Sequence, residues 1–65
     1  MLVLSRRTNE SIVIEPADSA DVSTTLAQLF ANGPILITLL GGIGGRVKMG
    51  IEAPELLSIR RNDVV

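Results

Sequence analysis

The 65-residue sequence contains neither cysteine nor histidine. Without cysteine, no disulfide or thiolate metal site can hold a short chain together. Without histidine, the common zinc and copper ligand is missing, and so is the side chain most used as a base near neutral pH. The carboxylates form no convincing acid/base pair and no nucleophile system is legible, so neither catalysis nor a cofactor is expected. Phe30 is the only aromatic residue, which excludes the stacking platform of many single-strand nucleic-acid binders. No long apolar run exists either. The uncharged stretch from Pro34 to Gly45 is far shorter than the roughly 18–20 residues of a membrane helix, and it carries four glycines. Met1-Leu2-Val3-Leu4 is too short for a secretion signal and is followed, not preceded, by arginines. The expected location is the cytoplasm.

What is present is a surplus of apolar surface. Hydrophobic residues make up 46% of the chain, and mean hydropathy is +0.42. A domain this small buries a low fraction of its surface. A stable, unstapled fold with this composition points to an obligate oligomer, most simply a two-fold dimer. The net charge of −1 hides an asymmetry. Residues 15–34 carry Glu15, Asp18 and Asp21 and no base, a sum of −3; the remainder carries six bases against four acids, a sum of +2. Such a distribution argues against a broad basic face and leaves room for a small, defined cationic site.

Periodicity gives the order β-β-α-β-β-β. Residues 1–7 read as a strand, Thr8-Asn9-Glu10 as a turn with Asn9 left-handed, and 11–14 as a second strand, so that 1–14 look like a hairpin. Across the helical insertion at about 17–33, Val22, Leu26, Leu29 and Phe30 follow the spacing of an amphipathic helix of about three turns that buries this stripe. Asp18, Ser19 and Asp21 are N-cap types, and Asn32-Gly33-Pro34 is a stop. Residues 35–40 and 46–51 read as a second hairpin around Gly41–Gly45, and 56–61 as the fifth strand. The glycine-rich turn lacks the Gly-Lys-Ser/Thr ending of a phosphate loop and no helix follows it.

Four of the six basic residues lie in two doublets, Arg6-Arg7 and Arg60-Arg61, each directly after a β-prone apolar run. Strand alternation lets each doublet place one guanidinium on a given face. If the first and last strands lie side by side, the edge acquires a guanidinium cluster suited to phosphates and base edges.

The segments Met1-Leu2-Val3-Leu4-Ser5-Arg6-Arg7, Met49-Gly50-Ile51-Glu52-Ala53-Pro54 and Arg60-Arg61, with the hairpin 35–51, resemble the CsrA/RsmA/RsmE carbon storage regulator family over 1–14 and 35–64. Two departures, a helix between the second and third strands and none after the last strand, look like the RsmN (RsmF) branch. Asn9 replaces a usual glycine and Lys48 a usual arginine. The resemblance implies a mainly β, interlocked-strand homodimer, the first strand of one chain pairing with the last of the other. It further implies a single RNA-binding domain that recognises GGA elements in loops of messenger leaders or small RNAs and so alters translation.

Arg61 matches the family's RNA-binding arginine; otherwise it pairs with Asp63 or Glu55. Of Arg6 and Arg7, one faces RNA and the other forms a structural ion pair. Arg60 lies on the face opposite Arg61, as a phosphate contact or a solvated charge. Leu4, Leu57 and Ile59 offer an apolar shelf beneath a base or a dimer core. Ala53 and Pro54 offer backbone groups to RNA or simply turn the chain, and Lys48 is a peripheral phosphate contact or a solvated strand residue. The rivals are a protein-interaction module or decoy on the same fold, and a swapped-hairpin DNA-binding regulator.

Overall fold

The computed structural model describes residues 1–62; the tail residues Asp63, Val64 and Val65 lie outside the described residues. Five strands and one short helix follow in the expected order: β1 (Leu2–Arg7), β2 (Ile12–Pro16), α1 (Leu26–Leu29), β3 (Leu36–Ile43), β4 (Arg46–Glu52) and β5 (Leu57–Arg61). They form a three-stranded sheet, β1-β4-β3, and a separate two-stranded sheet, β2-β5, with antiparallel pairing throughout.

The second hairpin forms as its sequence pattern requires. Gly44 and Gly45 both have positive φ, 63° and 80°, as a two-residue primed turn demands to match strand twist. A register shift at Leu39/Gly41 marks a bulge in β3. A Cβ on Gly42 would overlap the Arg46 carbonyl across the hairpin, so that position admits no side chain.

The hairpin expected over 1–14 does not form. The Thr8–Glu10 turn is present, with Asn9 at φ 71° and the Glu10 N–H donating to the Arg7 carbonyl at 3.0 Å. Yet β1 pairs with β4 in the register Leu4↔Met49, and β2 pairs with β5 in the register Ile14↔Ile59. The Arg6 side chain fills the corner between them, donating to the Ser5 carbonyl at 2.9 Å and the Ser11 carbonyl at 3.4 Å. With the guanidinium there, β2 leaves toward the other sheet. The first and last strands are therefore not neighbours within one chain.

The helix is one turn rather than three. Asp21, read as an N-cap type, instead closes an Asx turn: its carboxylate accepts from the Ser23 N–H at 2.9 Å, and the Thr24 N–H donates to its carbonyl. Short polar side chains of this kind offer the backbone an alternative to helix. The helix begins only after Thr25, through a reciprocal capping box with Gln28. Gly33, at φ 124°, and Pro34 end the segment. The stripe expected to be buried is mostly exposed, with Val22 wholly so and Leu26 75% exposed.

The centre of the chain is instead Ile51 on β4, 2% exposed and the one buried apolar side chain among the described residues. Ile51 shares a face with Leu2, Leu4, Ile37, Leu39 and Met49 through the registers on either side. Much of that face is uncovered, including Leu2, Ile37 and Leu39. The chain exposes 5045 Å², whereas a folded monomer of this mass is expected to expose about 4,000 Å². Its radius of gyration is 13.4 Å, against about 11 Å for a compact chain of this length. Ile51→Ala is expected to lower stability by about 2–5 kcal/mol and Val22→Ala by less than ~0.5 kcal/mol in denaturant unfolding. The reverse order would relocate the core to the insertion.

Candidate nucleic-acid interface

Because β4 lies between β1 and β3, β1 keeps one open edge among the described residues. Consecutive residues Val3 to Arg7 line a groove of about 410 Å³ along that strand, completed by Glu10, Arg46 and Arg61. Four arginines thus line one groove with a single acidic residue, Glu10. The two doublets contribute three of them, so the ends of the sequence already approach each other within a single chain, although their strands do not pair.

Each arginine is placed by a different local feature. Arg6 is the internal member of its doublet, 9% exposed, with the two carbonyl contacts above and a Glu10 carboxylate oxygen 3.8 Å from Nη2. Arg7, next along the strand, is exposed, and its backbone N–H donates to the Glu10 carboxylate at 2.7 Å. The structure thereby assigns the structural ion pair of this doublet to Arg6 and leaves the Arg7 guanidinium facing solvent. Arg46 is the direct cross-strand neighbour of Arg7. Like charges directly opposite on a sheet are destabilising, which marks this pair as costly to the fold alone. Arg61 extends from the end of β5, on the face it shares by alternation with Leu57 and Ile59.

The other residues singled out in the sequence divide. Leu4, half-buried, lies in the arginine groove. Arg60 pairs with Glu15 at 3.1 Å across β2 and β5, and both side chains are exposed, so it points away from the face that carries Arg61. Ile59 is half-buried opposite Ile14. Leu57 lines a separate hollow of about 260 Å³ with its neighbour Leu56 and with Val22 and Leu29 of the insertion. Ala53 and Pro54 line a third cleft with Gly33 and Leu36, and the Pro54 carbonyl accepts from the Leu57 N–H at 3.0 Å to close the turn into β5. Of the ten residues singled out in the sequence, Leu4, Arg6, Arg7 and Arg61 line the arginine groove.

Arg46 was not legible as a site residue. A lone arginine after a glycine turn carries no signal; its role follows from the register that sets it against Arg7. Glu10 was likewise read only as part of a turn.

The Arg7 N–H, and then the charges of Arg6, Arg7 and Arg46, hold the Glu10 carboxyl below its ordinary range. A depressed folded-state value means that ionised Glu10 contributes stability above its unfolded-state range, and that this contribution fades as pH falls through the folded value. Glu10→Gln is therefore expected to flatten the acid limb of a stability–pH profile by lowering its neutral region, while leaving its most acid end little changed. An unchanged acid limb would remove Glu10 as its source. Arg6→Ala is expected to cost about 1–3 kcal/mol in denaturant unfolding, from lost hydrogen bonds and stem burial. Arg7→Ala should cost less than ~0.5 kcal/mol; equal losses would refute the division of roles.

A family model described as the CsrA global regulator protein family matches residues 1–65. Members of that family are post-transcriptional regulators that bind RNA, and it is not an enzyme family. An arginine groove beside an open strand edge, in a mainly β chain matched along its whole length, places this protein in the CsrA family of RNA-binding global regulators.

Proposed function

We propose that the protein is a sequence-selective regulator of translation that recognises GGA elements in loops of messenger leaders or small RNAs, acting in the cytoplasm as a homodimer without a cofactor. The observation that carries this reading is the convergence of Arg7, Arg46 and Arg61 on the open edge of β1. Guanine presents N7 and O6 to an arginine fork, and its pairing edge suits the N–H and C=O groups of a strand edge. Single-stranded loops expose both, and Leu4 offers an apolar surface below them. With Phe30 as the sole aromatic, recognition rests on such edge contacts rather than on stacking.

The homodimer is supported by surface. The chain exposes roughly 1,000 Å² more than a folded monomer of its mass should, and a standard interface removes about 800 Å² per partner. The open edges of β1 and β5 suit pairing of the first strand with the last strand of a second chain, the interlocked arrangement. In that dimer Leu57 and Ile59 extend the apolar shelf beside Arg61, and Ala53, Pro54 and Arg60 enter only as outlying contacts. The short helix between β2 and β3 supports the inserted-helix RsmN branch. No helix among the described residues is long and apolar enough to cross a membrane.

The test is titration against a hairpin RNA with GGA in its loop, the same hairpin scrambled, and duplex DNA. The GGA hairpin is expected to bind at least about tenfold more tightly than either competitor, one good bidentate pair being worth about 1–3 kcal/mol of discrimination. Arg61→Ala should weaken it by a similar factor. Equal affinity for both hairpins would reject sequence selectivity, tighter binding of DNA would favour a DNA-binding regulator, and no nucleic-acid binding would favour a protein-interaction module. Sedimentation should give twice the chain mass; a well-folded monomer would refute the dimer.

A further inference from the structure

A second hollow adjoins the arginine groove. It has a volume of about 340 Å³ and is lined by Ser5, Leu40, Gly41, Gly42, Ile43, Arg46 and Lys48. Ser5 and Arg46 line both this trough and the groove, so the two hollows adjoin along β1 and β4. Arg46 and Lys48 are two positions apart on β4 and so project from the same face, about 6.7 Å apart by strand rise. On β1, Arg7 stands opposite Arg46 and Ser5 opposite Lys48. Arg7, Arg46 and Lys48 therefore form a cationic row across one sheet face, with the Ser5 hydroxyl beside it.

The floor of this trough is bare backbone. Gly41 and Gly42 occupy the β3 positions opposite Lys48 and Val47, and Gly42 is held to glycine by the Arg46 carbonyl. A bulky strand can therefore approach the sheet closely here. No carboxylate lines the trough. Among the described residues, neither Arg46 nor Lys48 has a carboxylate within salt-bridge distance. Two neighbouring cations with no carboxylate within salt-bridge distance among the described residues, spaced on the scale of successive phosphates along an extended strand, complement a polyanionic backbone. The apolar side chains of Leu40 and Ile43 suit the less polar faces of sugars.

We propose that this trough binds the sugar-phosphate backbone of RNA flanking the recognised loop, with Lys48 and Arg46 as phosphate contacts, so that RNA runs from the arginine groove across the glycine floor. The proposal rests on the RNA-binding reading of the groove and extends it to a second subsite that adds affinity without reading sequence.

The experiment compares Lys48→Gln with wild type by fluorescence anisotropy on two RNAs, a blunt GGA hairpin and the same hairpin with single-stranded flanks of about five nucleotides. Lys48 is exposed and lines the trough but not the groove, so the variant isolates the new subsite; an unchanged unfolding midpoint controls for folding. The variant should bind the flanked RNA about three- to tenfold more weakly and the blunt hairpin within twofold of wild type. The slope of log affinity against log salt for the flanked RNA should fall by about 0.7, the value of one single-strand phosphate contact. Equal weakening on both RNAs, or none on either, would overturn the proposal. Failure of GGA selectivity has a separate signature, equal binding of GGA and scrambled hairpins by wild type; the flank dependence then still decides the trough. If wild type binds no RNA, both readings fall.

Discussion

Strand β4 is hydrogen-bonded on both sides, and most of what matters in this protein follows from that position. It is the only strand with two neighbours among the described residues. Its central place buries Ile51 from both flanks, in a chain too small and too flat to bury much else. It also makes edge strands of β1 and β3. Edge strands carry backbone groups ready to pair with something beyond the sheet. Here that edge lies beside the arginines, where an RNA-binding protein without an aromatic platform can use it.

The electrostatic design is local. The chain is slightly acidic overall, yet one groove gathers four arginines around a single glutamate. Glu10 serves two purposes at once: it accepts the Arg7 N–H that shapes the turn and stands near the Arg6 guanidinium that fills the corner. The like-charged Arg7–Arg46 pair has no such compensation within salt-bridge distance among the described residues. A fold that tolerates this cross-strand repulsion does so where an anion would relieve it, which links the packing of the sheet to the chemistry of its ligand.

Several features could be read before the fold was known. The order of elements along the chain, the glycine turn between β3 and β4 and the left-handed Asn9 all rest on short-range patterns. So did the surplus of apolar residues, visible in the structure as exposed surface. The helix is shorter than its apolar spacing suggests because that spacing competes with a local side-chain bond. Asp21 and Ser23 satisfy each other in an Asx turn, and the backbone follows that local bond until Thr25 can cap a single helical turn. The turn at Thr8–Glu10 likewise does not decide what its flanking strands pair with, and β1 and β2 join different sheets.

By itself, then, the sequence determined the local events: which segments extend, where the chain must turn, and which charges lie at strand ends. Alternation and turn chemistry act over a few residues, so they are written there directly. Only the tertiary structure decided the long-range ones. It placed β4 between β1 and β3, turned Arg6 inward and Arg7 outward, and brought Arg46 against Arg7 and Arg61 into the same groove. Those outcomes depend on strand register, and register is chosen by the whole sheet, because a slip of one residue would exchange its two faces.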